Sequence, residues 1–447
     1  MTALFFVLFF GTMLLLGMPL FASITITVAA MPLFFAGNCG FTLANLGTWM
    51  MNGSLSSVGI TILLFILAGD VMARGKLTEK LFDTFAYYLG KKRGFMPIIS
   101  VLTCMFYGAI SGSGPATTAA VGAMCFPLLK KMGYDTRFSA CLLVAAGCLG
   151  MVIPPSAPLT TAAGLTEAFD PSLDVVVLYK MAAPVGILAG LILIVYAYLY
   201  CRKHGNGDQA VIDAHNDALR SRPFSAVLKE SIWALICPVI ILGGIFAGIT
   251  DTSQAAAISL IYAIFVSVWI YKSVTLSEVV EIIKGSLSSA APLCILLAIA
   301  NIFSGALGAM KVPDQMAETL VNAGFPHMLL VGLLLLVMLV LGTFMDSGAA
   351  MRILVPLVYP VLLRLGMEPY SFVVAVIMTQ AIGLTTPPYG LCLFVMAPVS
   401  GESMTSLSKG IIPLVLILIA VAYLFGLFPG LLGWALPGCH IQSIVLI

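Results

Sequence analysis

A long apolar stretch, from Met96 to about Leu129, is bordered by basic residues at both ends and carries a small, hydroxyl-rich segment at its middle. Residues 91–93 (Lys-Lys-Arg) precede it, and two lysines at 130–131 follow it. Because positive charge marks the cytoplasmic side of a membrane protein, we expect this stretch to enter and leave the bilayer on the same side. Each arm has about 15 residues, which is short for a full crossing. The sequence therefore predicts a re-entrant hairpin whose tip, 108–118, is buried, since irregular backbone at membrane depth must be covered by protein or line a cavity.

The composition indicates the class of protein. Of 447 residues, 61% are hydrophobic and only 9% are charged. Such a chain is typical of an all-α polytopic membrane protein in a lipid bilayer, and its net charge of +2 does not indicate a nucleic-acid partner. Ten cysteines occur without Cys-x-x-Cys spacing, which argues against a disulfide framework and a zinc site. No cluster of His, Cys, Asp and Glu suggests catalysis, so we expect a protein that is not an enzyme and has no catalytic residues.

Further apolar segments predict a series of membrane crossings. Two precede residue 38, and the first of them is interpreted as a span rather than a cleaved signal peptide. A third, at 58–72, leads to six basic residues that mark the cytoplasmic side, and 76–88 is expected to form an amphipathic helix at the membrane surface. Full spans are also predicted at 174–200, 231–249, 253–271, 285–310 and 411–431, and a long polar cytoplasmic loop at 201–230. A second hairpin is predicted in the second half. Two further spans are expected to be broken, one by Gly150–Ser156 and the other by Gly383–Gly390.

The two halves of the chain match when one is shifted by 233 residues. Gly150 then falls on Gly383 and the tip residue Ser113 on Asp346, and a Pro-Pro pair follows both glycines at the same distance. Each half contains five full spans and one hairpin, and because five is odd the second half must be inverted. Inverted repeats with Gly/Pro-interrupted segments are typical of secondary transporters. The predicted repeats are 1–230, with a hairpin at about 94–131 and a broken span at 138–166, and 231–447, with a hairpin at about 328–364 and a broken span at 372–398.

The two tips and the two broken spans are expected to meet at the repeat interface and to form cation sites. Proline removes a backbone donor and disrupts the preceding turn, so unwound backbone presents carbonyl oxygens beside Ser and Thr hydroxyls. Such oxygens bind hard monovalent cations such as sodium, although small residues at a tip can instead serve tight helix packing alone. The predicted sodium ligands are Ser111, Gly112, Ser113, Gly150, Ile153, Pro154 and Ser156 at one site and Gly342, Thr343, Asp346, Gly383, Thr385 and Thr386 at the other. The predicted substrate contacts are Gly114, Thr117, Pro155, Arg352, Pro387 and Pro388.

Three charged residues in apolar segments have alternative roles. Asp346 is the acidic residue in the middle of a membrane segment of the second half, where a carboxylate is costly; it either serves as a cation ligand or coupling group, or caps a helix N-terminus. Arg352 either neutralises Asp346 or a substrate carboxylate, or extends to the membrane surface. Asp70, near the cytoplasmic end of a span, is interpreted as a residue in contact with water.

Four motifs together resemble one family: Phe106–Ala116, Gly133–Asp135, Gly150–Ser156 and Ile382–Gly390. Over nearly its whole length the chain is similar to the large, DctM-like membrane subunit of a tripartite ATP-independent periplasmic (TRAP) transporter. The resemblance implies a multi-pass protein of the bacterial inner membrane that takes up organic acids (a C4-dicarboxylate, sialic acid or a similar carboxylate) with sodium ions.

The resemblance also implies partners and a mechanism. A periplasmic substrate-binding protein delivers the substrate, and a separate small subunit with four spans holds the large one. In an elevator motion, the hairpins and broken spans move as one block against the other helices. The alternative is a stand-alone carboxylate symporter, coupled to sodium or protons, without a binding protein; neighbouring genes for the two partners would distinguish them.

Overall fold

The computed structural model describes residues 5, 7–9, 11–12, 18, 20–34, 40–54, 57–90, 94–166, 175–205, 207–221, 223–311, 315, 318–319, 326–344, 347–364, 369–387, 390–428 and 431. Within these residues the regular elements are helical and no strand occurs, which confirms the predicted all-α class. In chain order the α-helices are α1 (Leu20–Phe34), α2 (Leu43–Ser54), α3 (Ser57–Arg74), α4 (Leu77–Leu89), α5 (Phe95–Ser111), α6 (Gly114–Lys131), α7 (Thr136–Gly147), α8 (Ala157–Thr166), α9 (Val175–His204), α10 (Gln209–Arg220), α11 (Phe224–Phe246), α12 (Thr252–Phe265), α13 (Leu276–Ala309), α14 (His327–Phe344), α15 (Ser347–Arg364), α16 (Pro369–Gly383), α17 (Leu391–Ser400) and α18 (Met404–Leu427).

Several helices have the length and composition of membrane spans. Leu191, Ile261 and Leu416 are half or more exposed on their outer faces, as expected of side chains that face lipid. The described segments long and apolar enough to cross a bilayer are Val175–His204, Val227–Phe246, Ser253–Ile270 and Met404–Leu427. The protein is therefore a multi-pass membrane protein.

Two pairs of helices lie where the sequence predicts hairpins. The first pair, α5 and α6, is joined by Gly112 and Ser113 alone, and its members pack against each other. These arms have 17 and 18 residues, so each is about 26 Å long at 1.5 Å per residue and falls short of a ~30 Å hydrocarbon core. The second pair, α14 and α15, is joined by residues 345–346, which lie outside the described residues.

The predicted broken spans are broken in the structure. α7 ends at Gly147, a 3-10 turn follows at Cys148–Met151, and the helix resumes as α8 at Ala157. In the second half, α16 ends at Gly383 and α17 begins at Leu391. We call α5–α8 and α14–α17 the hairpin unit, because α6 packs on α7 and α17, α15 packs on α8, and α16 packs on α14 and the 3-10 turn.

Two predicted segments differ from the observed ones, and one helix lies in a segment for which no element is predicted. The polar loop at 201–230 contains a helix, α10, capped by Asp208; its charged face hides it from a search for apolar runs. The span predicted at 285–310 is the second part of α13, which begins at Leu276 because Thr275 and Glu278 form a capping box. The segment between residues 38 and 57, which lacks Lys and Arg, contains α2.

Candidate functional site

The tip of the first hairpin is a two-residue turn built from local hydrogen bonds. Gly112 has φ +61°, a conformation that glycine adopts readily, and its N–H donates to the Gly108 carbonyl at 2.8 Å. Ser113 caps α6, because its hydroxyl oxygen accepts the Ala116 N–H at 3.4 Å, and Pro115 lies in the first turn, where no backbone donor is needed. The tip residues Ser111–Gly114 are thus placed by the chain itself.

Hydroxyl oxygens cluster just behind this tip. Ser111 Oγ and Thr117 Oγ1 are 2.8 Å apart, and Thr117 Oγ1 also donates to the Ser113 carbonyl at 2.7 Å. Ser111 and Thr117 are buried, at 4% and 0% exposure. The predicted substrate contact Thr117 is therefore bonded to the two predicted ligands Ser111 and Ser113, and belongs to the same cluster of oxygen donors.

The first hairpin crosses the first broken helix at two glycines. A Cβ on Gly108 would lie 2.5 Å from Cα of Gly150, and a Cβ on Gly150 would lie 2.8 Å from Thr117 Oγ1. The tip also contacts the break itself, since a Cβ on Gly112 would lie 3.0 Å from the Ala157 nitrogen and 3.4 Å from the Pro155 carbonyl oxygen. The structure thus brings Ser111–Gly114 together with the break after Gly150.

The break between α7 and α8 offers backbone oxygens. The peptide bond between Pro154 and Pro155 is cis. No residue in the described part of the chain donates a hydrogen bond to the carbonyl oxygens of Ile153, Pro154 or Pro155. These carbonyls fit a site for a hard cation, which is bound by oxygen. The Ile153 side chain does not take part, because it packs against Gly186 of α9.

Ser156 has its hydroxyl engaged inside the break. Its Oγ donates to the Met151 carbonyl and accepts the Leu159 N–H at 3.3 Å, so it caps α8. Thr160 Oγ1 lies 2.7 Å from the hydroxyl oxygen of Tyr179 on α9. This hydrogen bond holds the first turn of α8 against α9. The side chain of Ser156 therefore has a structural role here.

The second hairpin crosses the second broken helix in a similar way. A Cβ on Gly383 would lie 2.6 Å from Cα of Gly342, and the Thr343 carbonyl accepts the Gly390 N–H at 3.3 Å. The hydroxyls of Thr385 and Thr386 both donate to the Ile382 carbonyl at 2.7 Å. The structure brings Gly342 and Gly383 together and places Thr385 and Thr386 directly after the crossing.

For four further predicted site residues, the structure describes the position only in part or not at all. Asp346 and Pro388 lie outside the described residues. Arg352 belongs to α15 by its backbone, while its side chain is outside what the structure describes. Pro387 is half-buried in the turn that follows Thr386.

Three residues at or near the two crossings were not predicted as site residues. Gly108 makes the first crossing, and Gln380, on α16, is fully buried beside the second. Asp70 is half-buried and accepts a hydrogen bond from Ser286 of α13, so it is held by protein rather than only by water. Gln380 could have been found from the sequence, because it is an amide residue within an apolar run. Gly108 could not, because no spacing rule distinguishes it from other glycines.

Comparison with known proteins gives consistent results. A family model for the DctM component of tripartite ATP-independent periplasmic transporters matches residues 6–431. The isethionate TRAP transporter permease protein DctMQ of Oleidesulfovibrio alaskensis is 32% identical over 421 residues, 94% of this chain, and the matched region spans 62% of that longer relative. The C4-dicarboxylate TRAP transporter large permease protein DctM of Pseudomonas aeruginosa is 31% identical over 378 residues, 85% of this chain and 86% of the relative.

Among solved structures, the Alcanivorax borkumensis YdaH transporter has a similar fold. Its TM-score is 0.65 at 16% identity, over 88% of this chain and 90% of that one. At this identity the likeness concerns the fold alone.

Proposed function

Because the chain belongs to the DctM family of tripartite ATP-independent periplasmic transporters, we propose that it is the large permease subunit of a transporter that imports a small organic acid with sodium ions. The relatives named above are permeases for isethionate and for C4-dicarboxylates, both small organic anions. We therefore infer an anionic substrate of similar size.

The observation that carries the sodium proposal is the oxygen cluster at the first crossing. The Ser111 and Thr117 hydroxyls lie beside Ser113, and the neighbouring break has three carbonyl oxygens that receive no hydrogen bond from the described residues. This set of neutral oxygens fits a hard monovalent cation. A bound sodium ion would contribute positive charge near an anionic substrate and couple its import to the sodium gradient.

The hairpin unit is the part of the protein that we propose to move. It is packed internally through two glycine crossings, whose short backbone separations favour a rigid body. We propose that this unit carries the substrate across the membrane while α3, α12 and α13 stay fixed. A small subunit with four spans would hold the fixed helices, and a periplasmic binding protein would deliver the substrate at the inner membrane.

Uptake of a radiolabelled organic acid into proteoliposomes tests the proposal. The vesicles hold this chain with its small subunit, and a sodium gradient and the binding protein are each added or omitted. We expect uptake only when both are present. Uptake driven by a proton gradient alone would contradict sodium coupling, and uptake without the binding protein would favour a stand-alone symporter.

A further inference from the structure

We infer that Gln380 is a further side-chain ligand of the transported cation at the crossing of Gly342 and Gly383. The inference rests on the proposed sodium coupling and adds to it an amide oxygen that belongs to the broken helix itself. The cation class is a monovalent ion of the size of sodium, bound by oxygen ligands.

The hydrogen bond of the amide nitrogen fixes which way the oxygen points. Gln380 Nε2 donates to the Met338 carbonyl of α14 at 2.8 Å. A carbonyl can only accept, so the nitrogen must be on this side of the amide and Oε1 on the other. Oε1 therefore points to the glycine crossing, where it lies 3.1 Å from the position that a Cβ on Gly342 would occupy.

The Gln380 oxygen is buried and unpaired within the described part of the chain. The side chain has 0% exposure, and no donor in the described part of the chain reaches Oε1. Most buried amide oxygens in proteins accept a hydrogen bond, because a buried acceptor without one has lost its hydrogen bonds to water and gained none in return. A role restricted to joining α16 to α14 needs only the nitrogen and leaves the oxygen unexplained. A cation bound at the crossing would satisfy it.

The first crossing has a related oxygen from a different helix. The residue 233 positions before Gln380 is Gly147, and the space beside its Cα is occupied by Thr118 of α6. Thr118 Oγ1 is also buried without a partner among the described residues. Among the described residues, each crossing thus has a buried side-chain oxygen without a partner, a hydroxyl from the hairpin in the first half and an amide from the broken helix in the second. We expect two cation sites with unequal affinities.

Sodium-dependent thermal stabilisation of the purified protein tests the inference without a transport assay. The unfolding temperature is measured against sodium concentration, with choline keeping the ionic strength constant. Q380M keeps the size of the side chain and removes the oxygen; we expect its half-stabilising sodium concentration to rise about ten- to a hundredfold, as for the loss of one contact with a charged partner. Q380E keeps an oxygen toward the crossing, and its protonated carboxyl can still donate to the Met338 carbonyl, so this variant should retain sodium binding.

A matched control comes from the next residue of the same helix. Thr379 is buried, but its hydroxyl already donates to the Ala375 carbonyl at 2.7 Å, so T379V should leave the sodium midpoint unchanged. An unchanged midpoint in Q380M, or a loss in Q380E as large as in Q380M, would overturn the role of Oε1 while sodium coupling stands. If the wild-type protein itself gains no stability from sodium, the proposed coupling fails, and this inference fails with it. If Q380M does not fold, the sodium midpoint of Q380E is compared with that of T379V, and a higher midpoint in Q380E would overturn the role of Oε1.

Discussion

At the scale of single residues, glycine sets the geometry of both candidate sites. Gly108 faces Gly150, and Gly342 faces Gly383. A Cβ would meet another atom within 3.0 Å on Gly108, Gly150 and Gly383, and at 3.1 Å on Gly342. The absence of side chains lets each hairpin approach its broken helix closely enough to share oxygen atoms across the contact. The same feature makes these positions sensitive to the smallest substitution.

We expect G383A to impair both folding and transport. The new Cβ would lie 2.6 Å from Cα of Gly342, and backbone cannot yield as a flexible side chain does. Overpacking of this kind costs about 1–3 kcal/mol or more in the free energy of unfolding. Thermal unfolding in detergent and uptake in proteoliposomes both measure the effect.

G243A is the matched control for this substitution. Gly243 is an exposed glycine of α11, and a Cβ there would meet nothing within 4 Å. Alanine at such a helical position should be neutral or stabilising by up to about 1 kcal/mol. If G383A behaves like G243A, the close glycine crossing does not matter for stability or for uptake.

At the scale of elements, the sequence predicts a helix end or a break correctly where particular residue types, such as Gly, Ser and Pro, mark it. The first tip is predictable because Gly, Ser and Pro follow each other between apolar arms, and the broken spans are predictable from their Pro-Pro pairs. The fit of Gly108 against Gly150 is not predictable, because it depends on how two distant segments pack. α10 was missed because only part of one face of this short helix is apolar.

α10 joins two regions near the predicted cytoplasmic side. The Asp208 N–H, at its start, donates to the Met132 carbonyl just beyond α6 at 2.7 Å, and Arg220, at its end, donates to the Tyr87 carbonyl of α4 at 2.7 Å. Between them, a cavity of about 500 Å³ lies beside α6 and α10 and is lined in part by Lys131 and His215. The helix thus links the base of the first hairpin to the amphipathic helix α4.

We expect His215 to make the stability of this contact depend on pH. Burial lowers the pKa of His215 below its ordinary value of 6.5, and the charge of Lys131 lowers it further. Because the folded state disfavours the protonated ring, its contribution to stability is present above pH 6.5 and is lost as the pH falls through the folded-state pKa. Thermal unfolding between pH 5 and 8 should show a smaller loss of stability at low pH for H215Q than for the wild-type protein.

H204Q serves as the control for the pH series. His204 is exposed at the end of α9, where its ring stacks on Tyr200, and it does not line the cavity beside α10, so H204Q removes a histidine without changing that cavity. Equal profiles for H215Q and the wild-type protein would show that the environment of His215 does not contribute to the pH dependence.

At the scale of the whole molecule, one contact joins the tip of the first hairpin to α3. Gly69 of α3 lies against Ser111, and the next residue, Asp70, is bonded to Ser286 of α13. α3 also packs against α12 and α8. If the hairpin unit moves as a block, the contact between Gly69 and Ser111 is one that must break during transport, whereas that between Asp70 and Ser286 can persist. The inverted relation of the two repeats, inferred from the odd number of spans, stays a prediction.

A cross-link between α3 and the tip should therefore block transport. A Cβ on Gly69 would lie 3.5 Å from the Cβ of Ser111, within the range that a disulfide requires. We expect the double variant G69C/S111C to form a disulfide under mild oxidation, with uptake lost on oxidation and restored by a reductant. The seven cysteines whose side chains the structure describes are buried, and Cys39, Cys294 and Cys439 are replaced by serine in the starting protein, so the native cysteines should not compete for the oxidant.

The single variants separate the effect of the cross-link from the effect of the substitutions. Ser111 is itself a proposed ligand, so S111C is expected to lower uptake, but by the same factor before and after oxidation. G69C places its Cβ 3.2 Å from Cα of Ser111, which tests whether the tight contact tolerates a side chain. Full uptake by the oxidised, cross-linked double variant would mean that the tip stays beside α3 throughout the cycle. The moving part would then have to be a different set of helices from the hairpin unit.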